Sequence, residues 1–400
     1  MALDPALLCA SLSVVERRAD QASAYFYAHL FANNPDVRSL FPVEMAEQQD
    51  RLFAALTRLV GLLDTSERLG AYLATLGRDH RKFEVRPEHY PAVGASLLAT
   101  LRQFCGNTWT PAVEKAWTEA YSVIAQAMID AAAAVSPATP AWWDARVVER
   151  QQPQSDLVIL TLAPDRSYPF LPGQYLTLCS PHAPRVWRPF SIANAPRPDG
   201  TVELHVRKVP EGMVSTALVD ATRVGEALRL GPPLGDAVLP SGSQRPLLAV
   251  AGGTGWGQTK AVLEQVAYAP RRTTLFLGGR CDGDHYDSAG VRLLAQRHPW
   301  LEVVSTVPGE RVPGSAGVRM MQTAILEHGS WAGHDVHLSG PPDMVREVAG
   351  LLRSRCGVAG ELIRHDPLPT TFCRSRPTNS AERFLMERDV CWINRTELGI

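Results

Sequence analysis

The hydrophobic period changes twice along this chain of 400 residues, so it cannot fold around one repeating element. Over roughly the first 135 residues apolar side chains recur in steps of three and four. Leu52, Phe53, Leu56, Leu59, Val60 and Leu63 form one stripe, and Trp117, Tyr121, Ile124, Met128 and Ile129 another, the spacing that lines one face of an α-helix. The stretch Val135-Ser136-Pro137-Ala138-Thr139-Pro140 ends that texture. Beyond it, short β-branched runs such as Leu157 to Leu162 and Val202 to Val206 alternate with Gly, Pro and Asp turns, the pattern of a small antiparallel barrel. From Arg245 apolar strands (Leu247 to Ala251, Thr274 to Leu277, Glu302 to Ser305, Asp335 to Ser339) are separated by helical stretches, which predicts βαβ units on a parallel sheet.

A chain of this length is expected to hold several cores. The textures predict an all-α domain over 1–135, an antiparallel β-barrel over 141–240 and an α/β domain over 245–366. A polar tail at 369–400 has no clear partner for its few apolar residues. The formal charge is −1 with no long block of one sign, which disfavours nucleic acid or an anionic membrane as partner and suits small ligands. The start, Asp4 before a short apolar stretch and then Glu16-Arg17-Arg18, reads as a first helix and not as a signal peptide. No uninterrupted apolar run approaches the ~18 residues needed to span a bilayer, so a cytoplasmic protein is expected. The seven cysteines are scattered, with no Cys-x-x-Cys pair, which argues against a disulfide framework, a zinc site or an iron–sulfur cluster.

Three sets of residues carry chemistry. Leu73, Leu76 and His80 follow i, i+3, i+7 spacing, which puts an imidazole on the buried face of a helix. There it either bonds a backbone carbonyl or holds a cofactor; His89, between prolines 87 and 91, is its competitor. Pro172-Gly173-Gln174-Tyr175 leads a loop into a strand, and Arg188-Pro189-Phe190-Ser191 follows. An arginine fork suits a diphosphate, an aromatic ring packs on a flat cofactor, and a hydroxyl reaches a ring nitrogen. Gly252-Gly253-Thr254-Gly255 sits between an apolar strand and a helix, where glycines admit a diphosphate to the amide groups of the helix N-terminus.

These motifs resemble known ones. Phe26-Tyr27-Ala28-His29-Leu30-Phe31, Asn34-Pro35, Phe41, Gln48 with Leu52-Phe53, His80 with Pro87 to Gly94, and Ala116-Trp117 with Ala120-Tyr121 occur in the order that flavohaemoglobins show. The Arg188 to Ser191 run is similar to the flavin motif of the ferredoxin–NADP reductase superfamily, with phenylalanine in place of tyrosine. The resemblance implies a globin domain binding haem b through His80, with Tyr27 and Gln48 over bound oxygen, Phe41 packed on the haem and Tyr90 on the proximal side. It implies FAD held by Arg188, Phe190 and Ser191, with His205, Arg207 and Ser215 in the family's next strand and phosphate turn. NAD(P)H falls to Gly253, Thr254, Gly255, Arg280, Gly340 and Pro341. The implied activity passes electrons from NAD(P)H through FAD to haem iron, turning nitric oxide and O2 into nitrate.

The chain also departs from the family. Ala132 stands where a glutamate usually joins the proximal histidine and tyrosine, and Asp79 where a basic residue precedes the histidine. Trp256-Gly257-Gln258 replaces a small apolar residue and proline, Ser339 replaces a cysteine, and Arg364 to Leu368 replaces a flavin-covering aromatic. Losing the carboxylate removes a push on the imidazole's basicity. Two other readings stay open: a flavin and haem oxidoreductase with a non-nicotinamide donor, and a haem-based oxygen or redox sensor. Arg280 alone does not decide between NADH and NADPH, and oligomeric state is not written in the sequence.

Overall fold

In a computed structural model of the chain, residues 4–137, 139–306 and 314–368 are described, so Ala138 and the tail from 369 lie outside it. The chain divides into two compact units that part between Trp142 and Trp143.

The first unit is all helix: α1 (Pro5–Glu16), α2 (Ala19–Asn33), α3 (Ala46–Gly61), α4 (Ser66–His80), α5 (Tyr90–Cys105) and α6 (Pro111–Ala133). Asp4 caps α1 by accepting the Leu7 N–H, and Thr110 caps α6 through Val113. Each satisfies an amide that the first helical turn leaves without a partner. The predicted stripes pack inward: Leu52, Phe53 and Leu56 of α3 lie against a core of Leu12, Phe26, Leu30, Leu97 and Trp117. Burying side chains of this kind is worth roughly 1.5–3 kcal/mol each. Two glycines set how closely the helices cross. A Cβ at Gly77 would fall inside the Met128 backbone, so α4 rests directly on α6, and one at Gly94 would lie 2.5 Å from the Tyr121 ring.

The second unit carries two sheets. Strands β1 (Trp143–Gln154), β2 (Leu157–Pro164), β3 (Tyr175–Ser180), β4 (Ala183–Ser191), β5 (Val202–Arg207) and, after the short helix α7 (Met213–Thr216), β6 (Ala227–Leu230) form one of them. Its antiparallel order is β4-β3-β6-β1-β2-β5. The sheet curls until its outer strands meet at a single bridge, Ile192 to Leu204, beside the Ala193 N–H to Glu203 carbonyl bond. This curled antiparallel sheet, a half-barrel, is the small barrel that the turn spacing predicts, with one bridge joining its outer strands where the other neighbours share ladders.

The second sheet joins β7 (Leu247–Gly252), β8 (Thr273–Gly278), β9 (Leu301–Ser305), β10 (Asp335–Ser339) and β11 (Ile363–Arg364), interleaved with α8 (Gly255–Val266), α9 (Ser288–Arg297), α10 (Gly314–His328) and α11 (Pro342–Arg355). All pairings are parallel, in the order β11-β10-β7-β8-β9. Strand alternation feeds two cores: Leu248 and Val250 face α10 and α11, whereas Leu247, Ala249 and Ala251 face α8 and α9. The order turns outward in both directions from β7, so the crevice at the carboxyl ends of β7 and β10 is the place where such sheets bind ligands. No helix among the described residues is long and apolar enough to cross a membrane.

Candidate functional site

In the helical unit, α4 ends at His80, one turn beyond buried Leu76 and two beyond Leu73. Its Nδ1 lies 2.7 Å from the Leu76 carbonyl oxygen. A carbonyl only accepts, so Nδ1 carries the proton and Nε2 the lone pair. Burial first, and Lys82 further, lower the imidazole's affinity for a second proton against the opposing pull of Asp79 and the Leu76 bond. A neutral imidazole with a fixed tautomer and a free Nε2 lone pair is the donor a haem iron requires, so the residue fits the group. The backbone-carbonyl reading of His80 is the one observed, and it leaves the Nε2 lone pair available. His89 is otherwise engaged: its Nδ1 accepts the Arg86 N–H at 3.1 Å and closes a capping turn.

Tyr27, Phe31 and Phe41 form an aromatic cluster, with ring centroids 5.3 to 5.8 Å apart. The Tyr27 hydroxyl donates to the Gln48 backbone oxygen at 3.2 Å, so α2 and α3 bring these two residues together through main chain. Burial raises the phenol well above its ordinary range, against a smaller opposing pull from Gln48 and Arg51, and keeps it a donor. Tyr90 packs against the cluster that includes Leu73 and Leu76 of α4, and its carbonyl accepts the Tyr121 hydroxyl at 2.6 Å. Ala132 lies in the last turn of α6 and offers nothing for Tyr90 to bond. Asp79 forms a 2.5 Å ion pair with buried Lys82, so a charge is present beside the histidine but is neutralised locally. Among the described residues no cluster of three or more His, Cys, Asp or Glu is arranged to hold a metal.

In the sheet unit the parts converge on β4, against which both α7 and α8 pack. Cross-strand partners put Phe190 opposite Leu176 and Arg188 opposite Leu178, both core leucines, and Ser191 opposite Tyr175. Arg188 and Phe190 thus share one face of β4 and Ser191 takes the other. Gly173, at φ 96°, lets its loop lie against the Ala237 carbonyl where a Cβ has no room. The other predicted flavin residues are turned onto protein partners. Arg207 pairs with Asp156 at 2.7 Å, and the Ser215 hydroxyl accepts Val209 N–H and donates to Gly212 O, both at 3.1 Å.

His205 belongs to a buried network that the sequence did not disclose. Its Nε2 donates to Glu203 Oε1 at 2.9 Å, and its Nδ1 meets the Tyr286 hydroxyl at 2.6 Å. Lys260 and Arg197 also bond Glu203, at 2.6 and 2.9 Å. Burial would raise this carboxyl, but the bonds from His205 and Lys260 outweigh it and hold it below the usual carboxylate range. Gly257 makes room for the ring: a Cβ there would come within 3.1 Å of it. The glycine that departs from the family pattern is thus matched to the histidine.

Gly253, Gly255, Gly340 and Pro341 are brought together at the carboxyl ends of β7 and β10. A Cβ at Gly255 would overlap the Ser339 carbonyl, and one at Gly340 would lie 2.7 Å from Met344 and 3.0 Å from the Gly252 backbone. Thr254 occupies the N-cap position of α8, and its side chain makes no capping bond. This amide-lined crevice fits a diphosphate. The Trp256 indole is buried among Leu277, Tyr286 and Val291, donates to Asp287 at 2.8 Å and lines one cavity with Gly253. Arg280 lies back on Asp284, its Nε 3.2 Å from the carboxylate.

Sequence comparison follows the same division. The Globin profile matches residues 24–128, the Oxidoreductase FAD-binding domain residues 144–238 and the Oxidoreductase NAD-binding domain residues 249–350. The chain is 31% identical over 314 residues to a flavohaemoprotein of Pseudomonas putida, covering 74% of this chain and 79% of that one. It is 27% identical over 391 residues to a flavohaemoprotein of Chromobacterium violaceum, covering 90% and 96%. Among solved structures, the flavohaemoglobin of Malassezia yamatoensis, determined with FAD and haem bound, superposes with a TM-score of 0.71 at 20% identity over 92% of this chain and 99% of that one, a likeness of fold. An Amycolatopsis cytochrome P450 reductase matches the reductase part, with TM-score 0.51 at 28% identity over 57% and 70%. A globin joined to FAD- and NAD-binding oxidoreductase domains, in one chain and in that order, makes this protein a member of the flavohaemoprotein family and an NAD(P)H oxidoreductase of the flavohaemoglobin type.

Proposed function

We propose that this chain is a nitric oxide dioxygenase that takes reducing equivalents from NAD(P)H and converts nitric oxide and O2 to nitrate. FAD, when bound, supplies the change from a two-electron donor to single electrons, and haem b supplies an iron at which diatomic gases react. His80 holds that iron through Nε2, with its Nδ1 proton tied to Leu76. Phe41 would pack against the haem and Tyr90 would serve on the histidine's side of it. Tyr27 would be the distal donor, its phenol kept protonated by burial and bonded here to the Gln48 carbonyl. The Gln48 side-chain amide is a second donor.

Arg188, Phe190 and Ser191 hold the flavin, with His205, Arg207 and Ser215 bracing the strand and turn around it. Gly253, Thr254, Gly255, Gly340 and Pro341 receive the dinucleotide diphosphate, and Arg280 its ribose side. The corresponding domain limits are 1–135, 141–240 and 245–366. The observation that carries the reading is the His80 tautomer, which leaves an imidazole lone pair free in the same chain as a glycine crevice for a dinucleotide.

Anaerobic mixing with NADH and then NADPH tests the donor, and nitric oxide consumption under O2 tests the reaction. Bleaching of the flavin band followed by reduction of the haem, with nitrate formed in step with nitric oxide loss, is expected. Bleaching only by another donor, or a reduced protein that leaves nitric oxide untouched, would replace this function with the flavin oxidoreductase or the sensor.

A further inference from the structure

We propose that Gln258 and Asp366 are a pair of positioning residues that clamp the Pro172 to Tyr175 loop onto the first turn of α8, and so set how a flavin on that loop meets a dinucleotide at Gly252 to Gly255. The inference rests on the reading that those two loops carry FAD and NAD(P)H.

One side-chain amide makes the clamp. Gln258 Nε2 donates to the Gly173 carbonyl at 2.8 Å and to Asp366 Oδ2 at 2.8 Å. Both partners accept, so the amide can point only one way. Gln258 is 1% exposed, so these bonds are shielded from bulk solvent. The loop it grips is braced from the other side, because Gln174 accepts the Leu171 N–H at 2.9 Å and reaches the Gly235 carbonyl at 3.4 Å. Asp366 follows β11 and wedges between α8 and Gly235. A Cβ on Gly235 would lie 2.9 Å from the Tyr175 ring and 3.2 Å from Asp366 Oδ1. Strand β11, the 235–237 loop, the flavin loop and α8 therefore meet at one carboxyl.

Burial works against a charge on that carboxyl. Oδ1 is buried with no hydrogen-bond partner among the described residues, as is Gln258 Oε1. Since Oδ2 accepts from Gln258, the proton of the neutral form has its place on Oδ1. Burial pushes Asp366 up to about 7, opposed by the Gln258 bond and assisted by Asp236. The groups around it are Gln258 of α8, Asp236, the Tyr175 ring and, on its own segment, Arg364 and His365, whose Nδ1 donates to the Asp366 backbone carbonyl at 2.7 Å. Ionisation strengthens the one bond from Gln258 but leaves a buried charge with no second donor beside Asp236, and that desolvation cost favours states in which the carboxylate reaches water and the clamp opens. The clamp is therefore held most firmly at acid pH and weakens as pH rises from the ordinary carboxylate range toward about 7.

The test uses the full-length holoprotein, Gln258→Leu and Asp366→Asn. Release of FAD is followed by flavin fluorescence from about pH 5.5 to 8.5, a range that brackets the transition, and flavin reduction by NADH and NADPH is followed anaerobically. Wild type is expected to release FAD faster, and to reduce it more slowly, as pH rises toward 7, and to level off above it. Asp366→Asn flattens both profiles. Gln258→Leu releases FAD about tenfold faster at pH 6, the effect of one lost buried hydrogen bond. An Asp366→Asn profile that tracks wild type, a Gln258→Leu variant that matches wild type at pH 6, or a wild-type chain that takes up no FAD would overturn the clamp. If neither nicotinamide reduces the wild-type flavin, the donor reading fails, while the release profiles still decide the clamp.

Discussion

The two units build their sites by opposite means. In the helical unit the candidate residues are side chains whose chemistry is set by a single backbone contact, His80 on Leu76 and Tyr27 on Gln48. In the sheet unit the site is mostly absence of side chain: Gly173 against Ala237, Gly255 against Ser339, Gly340 against Gly252. The first kind tolerates changes of volume and fails on a change of atom type. The second tolerates changes of chemistry and fails on one added methyl.

The largest effect expected follows from the first half of this contrast. His80→Ala abolishes the Soret band of protein supplied with hemin and leaves flavin content near wild type, read from one absorption spectrum. Loss of both cofactors together would break the comparison, because the units would then not act separately. Gly255→Ala comes next: the new methyl meets the Ser339 carbonyl, so NADH no longer bleaches the flavin, and unfolding in urea shows a loss of ~1–3 kcal/mol. Its Soret band stays.

Tyr27→Phe changes one atom and almost no volume. Loss of a charge-assisted donor worth ~1.5–3 kcal/mol speeds oxygen release by about ten- to over a hundredfold, measured by stopped flow. An unchanged release rate would show that the hydroxyl never leaves the Gln48 carbonyl. A pH effect of the sheet unit is smaller. Glu203 has its folded pKa below its unfolded one, so its stabilisation is complete above about pH 4.3, the ordinary glutamate value, and is lost as pH falls through the folded value. Denaturant titrations from neutral to acid pH should show that limb in wild type and lack it in Glu203→Gln. The smallest change sharpens the contrast from the other side. Gly70, exposed in α4 with nothing near its Cβ position, gains ~0.5–1 kcal/mol on substitution by alanine, a glycine whose removal helps.

What was legible in the sequence divides along the same line. Strand β10 can be read off to the residue, since Asp335 to Ser339 is buried on both faces and bounded by Gly340 and Pro341. Strand β1 cannot. It alternates from Trp143 to Val147 and then runs exposed and polar to Gln154, so its second half carries no period to detect. His80 is legible because helical spacing ties it to Leu73 and Leu76. Tyr286 is not, because its bond to His205 spans 81 residues and leaves no local trace. Gln258 reads in the sequence only as a misfit. Its partners lie 85 residues before and 108 after it, and only the folded chain supplies them.

Gly77 stands one turn before His80, on a helix that touches the α6 backbone with no side chain between them. Such a contact has no rotamers to yield and no methylene to compress. Any pull on the imidazole is handed straight to the main chain at Met128, and the stiffness of the amino-terminal unit beneath its histidine is inherited from the smallest residue it contains.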